Sequence, residues 1–219
     1  MPTPSEILEG LTTISRDFDF IAIIWHIVFG LVIVGLFLGW RPSRKFAGTA
    51  LAVPLLSVSI FAWMYNNPFN GTVFLLFAML LAVVGFRLSN EKVSSAPPWG
   101  LAIGFLLVIF GWVYPHFLDT GDWFKYLYAA PTGLIPCPTL SITVGFALLA
   151  NGISSRVWSL LLALIGLFYG LFGTLRMGVY MDMGLSLGAI VLLVLALTIK
   201  TVPRSKQIEF EDIASRRFK

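Results

Sequence analysis

The stretch FIAIIWHIVFGLVIVGLFLGW, residues Phe20–Trp40, has one histidine, His26, in an otherwise uninterrupted apolar run. A helix rises 1.5 Å per residue, so about 20 apolar residues are enough to cross the hydrocarbon layer of a bilayer. The run is too long for the core of a signal peptide, no small-residue cleavage pattern follows it, and Glu6, Glu9, Asp17 and Asp19 stand where a basic leader region would be. It is therefore expected to stay in the protein as a first membrane span.

The pattern recurs along the chain. Of the 219 residues 58% are apolar and 12% charged, and the mean hydropathy is +0.87, outside the range of water-soluble domains. The fold class expected is an all-α polytopic transmembrane bundle of about seven spans, at 20–40, 46–65, 71–88, 99–116, 127–150, 157–175 and 184–200, with residues 201–219 as a cytoplasmic tail. Lys and Arg decide the orientation. Twelve of the 15 fall on one side of this scheme, and only Arg16, Lys125 and Arg176 on the other. The basic side is expected to be cytoplasmic, which puts the N-terminus outside. In the same scheme Trp40, Trp99 and Trp158 belong to the inner aromatic belt, and Trp63, Tyr65, Trp112, Tyr114 and Trp123 to the outer one. The basic excess records topology, and it gives no reason to invoke nucleic acid. A single cysteine, Cys137, excludes an internal disulfide framework.

The fifth segment departs from the pattern. Pro131, Pro136 and Pro138 lack amide donors and push the residues before them out of helical backbone, so a regular helix is expected only from about Thr139, with the preceding stretch unwound. Irregular backbone at membrane depth must be covered by protein or line a cavity. The free amides of Thr139, Leu140 and Ser141 would then face the outer side. Counting from the inner interface places His26 and Cys137 roughly 21 Å up, and His116, Arg176 and Asp182 about 25 to 27 Å up. The stripes Asp19, Ala22, His26, Gly30 and Gly166, Tyr169, Gly170, Gly173, Arg176, Met177 should face the bundle. The candidate ligand-binding set is His26, His116, Cys137, Thr139, Ser141, Arg176 and Asp182, around a pocket opening outward.

Each candidate also has a structural explanation. His26 can donate to a backbone carbonyl, Cys137 can act as a small hydrophobe, and Arg176 and Asp182 can form a rim salt bridge. Met177, Met181 and Met183 beside His116 and Cys137 have the soft ligands that suit copper(I). His26 and His116 on different helices raise the alternative of haem ligation or a quinone site, although no haem-attachment motif is present. The glycine pairs Gly100/Gly104, Gly166/Gly170 and Gly184/Gly188 have the spacing of close helix packing, within the bundle or against other membrane subunits. No nucleophile and base pair stands out, so the reading leans away from an enzyme. It favours binding of a small solute or ion with translocation as an extension, against a non-enzymatic subunit or assembly role.

Pro136-Cys137-Pro138-Thr139, followed by Ser141, Thr143 and Gly145 and preceded by Tyr114-Pro115, resembles a family of uncharacterised bacterial multi-pass membrane proteins classed as a domain of unknown function. Trp63, Tyr65, Asn67, Pro68 and the Phe-rich helix from Phe74 are similar as well, while Leu140-Ser141-Ile142-Thr143 departs from the usual Thr and Phe. The resemblance implies a bacterial cytoplasmic-membrane protein with a permease-like label, and supplies no substrate or catalytic residues.

Overall fold

The chain begins with a helix that lies outside the expected spans. In the computed structural model, which describes residues 3–118 and 121–199, α1 (Pro4–Asp17) is amphipathic and sits against one end of the bundle. Thr3 Oγ1 accepts from the Glu6 amide at 3.3 Å and Glu6 Oε2 accepts from the Thr3 amide at 2.6 Å; Pro4 occupies the first turn, where no N–H is needed.

After Phe18 the apolar helices follow: α2 (Asp19–Phe37), α3 (Arg44–Ala50), α4 (Val53–Met64), α5 (Pro68–Phe86), α6 (Pro98–Val113), the short α7 (Tyr126–Ala129), α8 (Pro136–Leu149), α9 (Arg156–Leu171) and α10 (Met183–Thr198). The segment expected as one helix over 46–65 is split into α3 and α4, because Pro54 has no amide to bond the Ala50 carbonyl. α6 stops at Val113 rather than near His116, two residues before Pro115. α8 starts three residues earlier than expected. Pro136 and Pro138 both fit its first turn, where the missing amides are not needed, and the unwound backbone is confined to the residues before Pro136. α9 runs on into a wider π-helical turn, Phe172–Arg176. The expected tail 201–219 lies outside the described residues.

Among the described residues five stretches are long and apolar enough to cross a membrane: Asp19–Phe37, Arg44–Met64, Pro68–Phe86, Arg156–Arg176 and Tyr180–Thr198. The other two apolar helices, α6 and α8, are shorter, at 16 and 14 residues. α8 is the centre of the bundle and is buried along almost its whole length. A Cβ at Gly104 of α6 would come within 2.9 Å of the Gly145 carbonyl of α8, and one at Gly145 within 2.7 Å of the Val108 amide, so these backbones touch. A Cβ at Gly166 would meet Ala189 at 3.2 Å, and one at Gly170 would meet the Ser186 amide at 2.8 Å. These small residues are used inside the bundle, whereas Gly100 meets only its own neighbours Ala96 and Pro97.

Side-chain and main-chain bonds show which helix ends meet. At the basic end, Arg44 bonds the Ile153 carbonyl at 3.1 Å and the Ser154 carbonyl, and the Val93 amide donates to Pro42. At the opposite end, Lys125 pairs with Asp19 at 3.0 Å and the Trp112 indole donates to the Leu127 carbonyl at 2.8 Å. Two aromatic residues assigned to the belts are core instead. Trp158 is fully buried, donating to the Gly48 and Leu81 carbonyls at 3.1 and 3.2 Å, because the close approach of Gly48 and Gly85 leaves a slot for its indole. Tyr114 is also fully buried, since its hydroxyl turns in to a carboxyl at the start of α10.

Candidate functional site

The unwound segment before α8 is held by hydrogen bonds. Its residues from 129 to 136 are buried. The Leu134 and Ile135 amides both donate to the Pro131 carbonyl, Thr132 Oγ1 donates to Gly111 O at 2.7 Å, and the Gly133 amide donates to Thr139 Oγ1 at 2.8 Å. Gly133 has φ +83° and its Cα abuts the Trp25 indole, so only glycine fits there. The irregular backbone is thus satisfied by protein, as a buried segment without water requires.

This frame borders a cavity of about 760 Å³ at the non-basic end. α1 covers it with Ile7, Leu8, Leu11 and Ile14, and Phe117, Phe172 and Met177 add apolar walls. The polar groups are few. Ile135, Pro136 and Cys137 bring the start of α8 to the floor, and Asp182, 1% exposed, lies there as well. The Tyr114 hydroxyl donates to Asp182 Oδ1, and the Cys137 thiol lies against the same carboxyl. The carboxyl fits because Gly173, in the π-helical turn, has no side chain: any Cβ there would overlap it. On a second wall, the Tyr169 hydroxyl donates to Asn70 Oδ1 at 2.8 Å, and both residues line the cavity. Asn66, Asn67, Glu6 and Arg176 stand around it too.

The structure brings together three of the seven residues expected at a site: Cys137, Arg176 and Asp182. Arg176 and Asp182 do not form the rim salt bridge. The ion pairs among the described residues are Arg16–Asp17, Arg44–Glu91 and Lys125–Asp19. Arg176 is exposed and leaves the expected inward stripe, because the π-helical turn changes the register after Leu171 while Gly173 and Thr174 remain buried. Thr139 and Ser141 are fully buried away from the cavity and spend their hydroxyls on the Ile135 and Cys137 carbonyls at 2.7 and 2.8 Å.

Neither histidine borders the cavity. His26 is 4% exposed, with Nδ1 2.8 Å from the Ala22 carbonyl and Nε2 2.9 Å from the Trp112 carbonyl. Both ring nitrogens face main chain, so the imidazole ties α2 to the end of α6. His116 is half-buried and packs edge-on to Phe117, at 4.2 Å between ring centroids, and burial holds its imidazole pKa below the ordinary value. The cavity therefore takes Cys137 and Met177 but not His116, and among the described residues no three His, Cys, Asp or Glu side chains cluster as a metal site would need.

Sequence reasoning missed α1, Asn70 and Tyr169 as parts of the cavity and Tyr114 as the partner of Asp182. A signal for α1 existed: Thr3-Pro4 with Glu6 spells a capped helix start, and Ile7, Leu8, Leu11 and Ile14 lie on one helical face. No protein-family model, no curated protein and no solved structure matches this chain.

Proposed function

We propose that the protein is a binding protein of the bacterial cytoplasmic membrane, holding a small, largely apolar organic solute with a hydrogen-bond-donating head. In this reading all seven apolar helices cross the bilayer, the basic end faces the cytoplasm and α1 lies on the outer surface. The lysine and arginine bias and the resemblance carried by Pro136-Cys137-Pro138-Thr139 support the location.

The observation that carries the reading is the cavity itself. Its volume of about 760 Å³ is within the range of small-molecule sites, and an apolar wall with one buried acid at the floor is the usual composition of such a site. An acid inside a membrane bundle is costly to bury, and such residues commonly mark a ligand site or a pathway. The solute's head would meet the Asp182 carboxyl beside Cys137, and its body would lie under α1. A bare ion fits less well, because the Asp182 carboxyl and the Asn70 amide oxygen are already engaged by Tyr114 and Tyr169, and most of the wall is apolar. Binding comes first here, with translocation as its extension.

Gly10 makes the test clean. It lines the cavity, and a Cβ there meets nothing within 4 Å, so a side chain at position 10 starts in open space and the indole of Gly10→Trp takes up cavity volume. Organic extracts of purified wild type and Gly10→Trp are compared by mass spectrometry, and alkylation of Cys137, the sole cysteine, is timed with and without the extract. The reading expects a small molecule enriched in wild type, absent from the variant and protective of Cys137. Identical extracts and unprotected alkylation would reject it in favour of a packing or assembly subunit.

A further inference from the structure

We infer that the cleft between α2 and the rest of the bundle, at the end opposite the cavity, seats one anionic phospholipid, with an acyl chain in the cleft and the phosphate on Arg41. α2 stands apart from its neighbours: its span is 17% buried, against 33 to 56% for the other four long spans. Beside it a gap of about 140 Å³ runs between Val28, Val32 and Leu36 of α2 and Ala50, Leu51 and Phe146 of the bundle. Interior faces normally close to contact, and an empty slot of this shape forfeits dispersion on both walls. An apolar slot beside a helix this exposed is filled by hydrocarbon chain rather than by water or a soluble ion.

The polar end of the cleft says which lipid. The cleft finishes at Trp40 and Arg41, the residue types that sit at headgroup level. Arg41 is exposed, donates to the Ser95 hydroxyl, and is in none of the ion pairs among the described residues. A guanidinium has five N–H donors, and its fork matches two phosphate oxygens. Lys45, Arg87 and Lys92 share this end, and the one described acid among them, Glu91, is taken by Arg44 at 3.1 Å. The local field therefore favours a net negative headgroup over a zwitterionic one. A basic residue at the membrane surface contributes enough to favour an anionic lipid about fivefold.

The full chain, purified in mild detergent, is titrated with phosphatidylglycerol or phosphatidylcholine of identical chains, and bound lipid is counted by native mass spectrometry. Wild type is expected to favour phosphatidylglycerol about fivefold, Arg41→Ala to lose the preference, and Arg156→Ala, at the same end but off the cleft, to keep it. Val28→Trp, at a position already 40% exposed, should weaken both lipids by blocking the chain slot while the fold survives. Equal binding of the two lipids by wild type would overturn the inference. So would a preference that survives Arg41→Ala, an equal loss in Arg156→Ala, or unchanged binding by Val28→Trp.

Discussion

The bond from Tyr114 to Asp182 joins the end of α6 to the start of α10, 68 positions apart in the chain, and the two residues are 0% and 1% exposed. Cutting it from either side should give unequal losses. Asp182→Ala strands a buried hydroxyl donor, a penalty of about 1 to 3 kcal/mol, and also loses the bond itself. Tyr114→Phe leaves a carboxyl that keeps the Cys137 thiol and faces the cavity, so the cost stays near 1 kcal/mol, the net value of one such bond. The double variant removes both partners and should be more stable than the sum of the singles predicts, by about 1 to 2 kcal/mol. Unfolding of the four proteins in mixed detergent micelles, followed by tryptophan fluorescence, closes the cycle. Additivity within about 0.5 kcal/mol would refute a direct, buried bond. Asp182→Asn separates stability from function. It still accepts from Tyr114, so the fold should hold, while a solute that needs the carboxyl should no longer protect Cys137 from alkylation.

Gly85→Ala should destabilise by about 1 to 3 kcal/mol, since its Cβ would lie 2.6 Å from the backbone carbon of Gly48 and only separation of α3 from α5 could relieve it. Gly10→Ala should stabilise α1 by up to about 1 kcal/mol, because its Cβ meets open space in a helix interior; thermal unfolding compares the two. The Tyr65 hydroxyl, at 2.6 Å, and then Arg16 hold the Asp17 carboxyl below the usual carboxylate range. A depressed acid supports the docked state above its unfolded pKa and loses that support as pH falls through its folded pKa. Acidification below about pH 4 should therefore speed hydrogen exchange in α1. Tyr65→Phe should flatten that dependence, and an unchanged profile would detach Asp17 from the docking of α1.

What was legible in the sequence depended on range. The apolar runs are local, so the helices from Phe20, Gly71, Val157 and Gly184 onward fall close to where α2, α5, α9 and α10 lie. Proline is local too, yet its meaning depends on position: the prolines at 136 and 138 that looked like breakers sit in a first turn, and the less conspicuous Pro54 splits a span. The place of His26 on α2 follows from the apolar run, but the two carbonyls that engage it come from α2 itself and from Trp112, and only packing reveals the second. The Tyr114–Asp182 and Tyr169–Asn70 bonds span 68 and 99 positions, so no spacing rule anticipates them. Asp182 and Cys137 stood out because ionisable and thiol groups are scarce in an apolar chain, and both line the cavity under α1.

The packing also weighs binding against passage. Beyond the floor of the cavity the bundle is closed: Phe74, Leu140, Val144 and Leu162 are fully buried, and α6 and α8 touch backbone to backbone at Gly104 and Gly145. Opening a path there would part helices whose contacts are glycine against carbonyl, with no flexible side chains to yield. At the other end α1 touches its neighbours far less than α6 touches α8. α1 rests on the bundle after a single non-helical residue, Phe18, and the π-helical turn at Phe172–Arg176 breaks the regular ladder beside Asp182. Motion is therefore cheapest where α1 covers the cavity. A molecule that binds and leaves from that side needs only α1 to lift, whereas one that crosses the membrane needs the glycine contacts to open as well. That difference is the physical reason for placing binding ahead of transport.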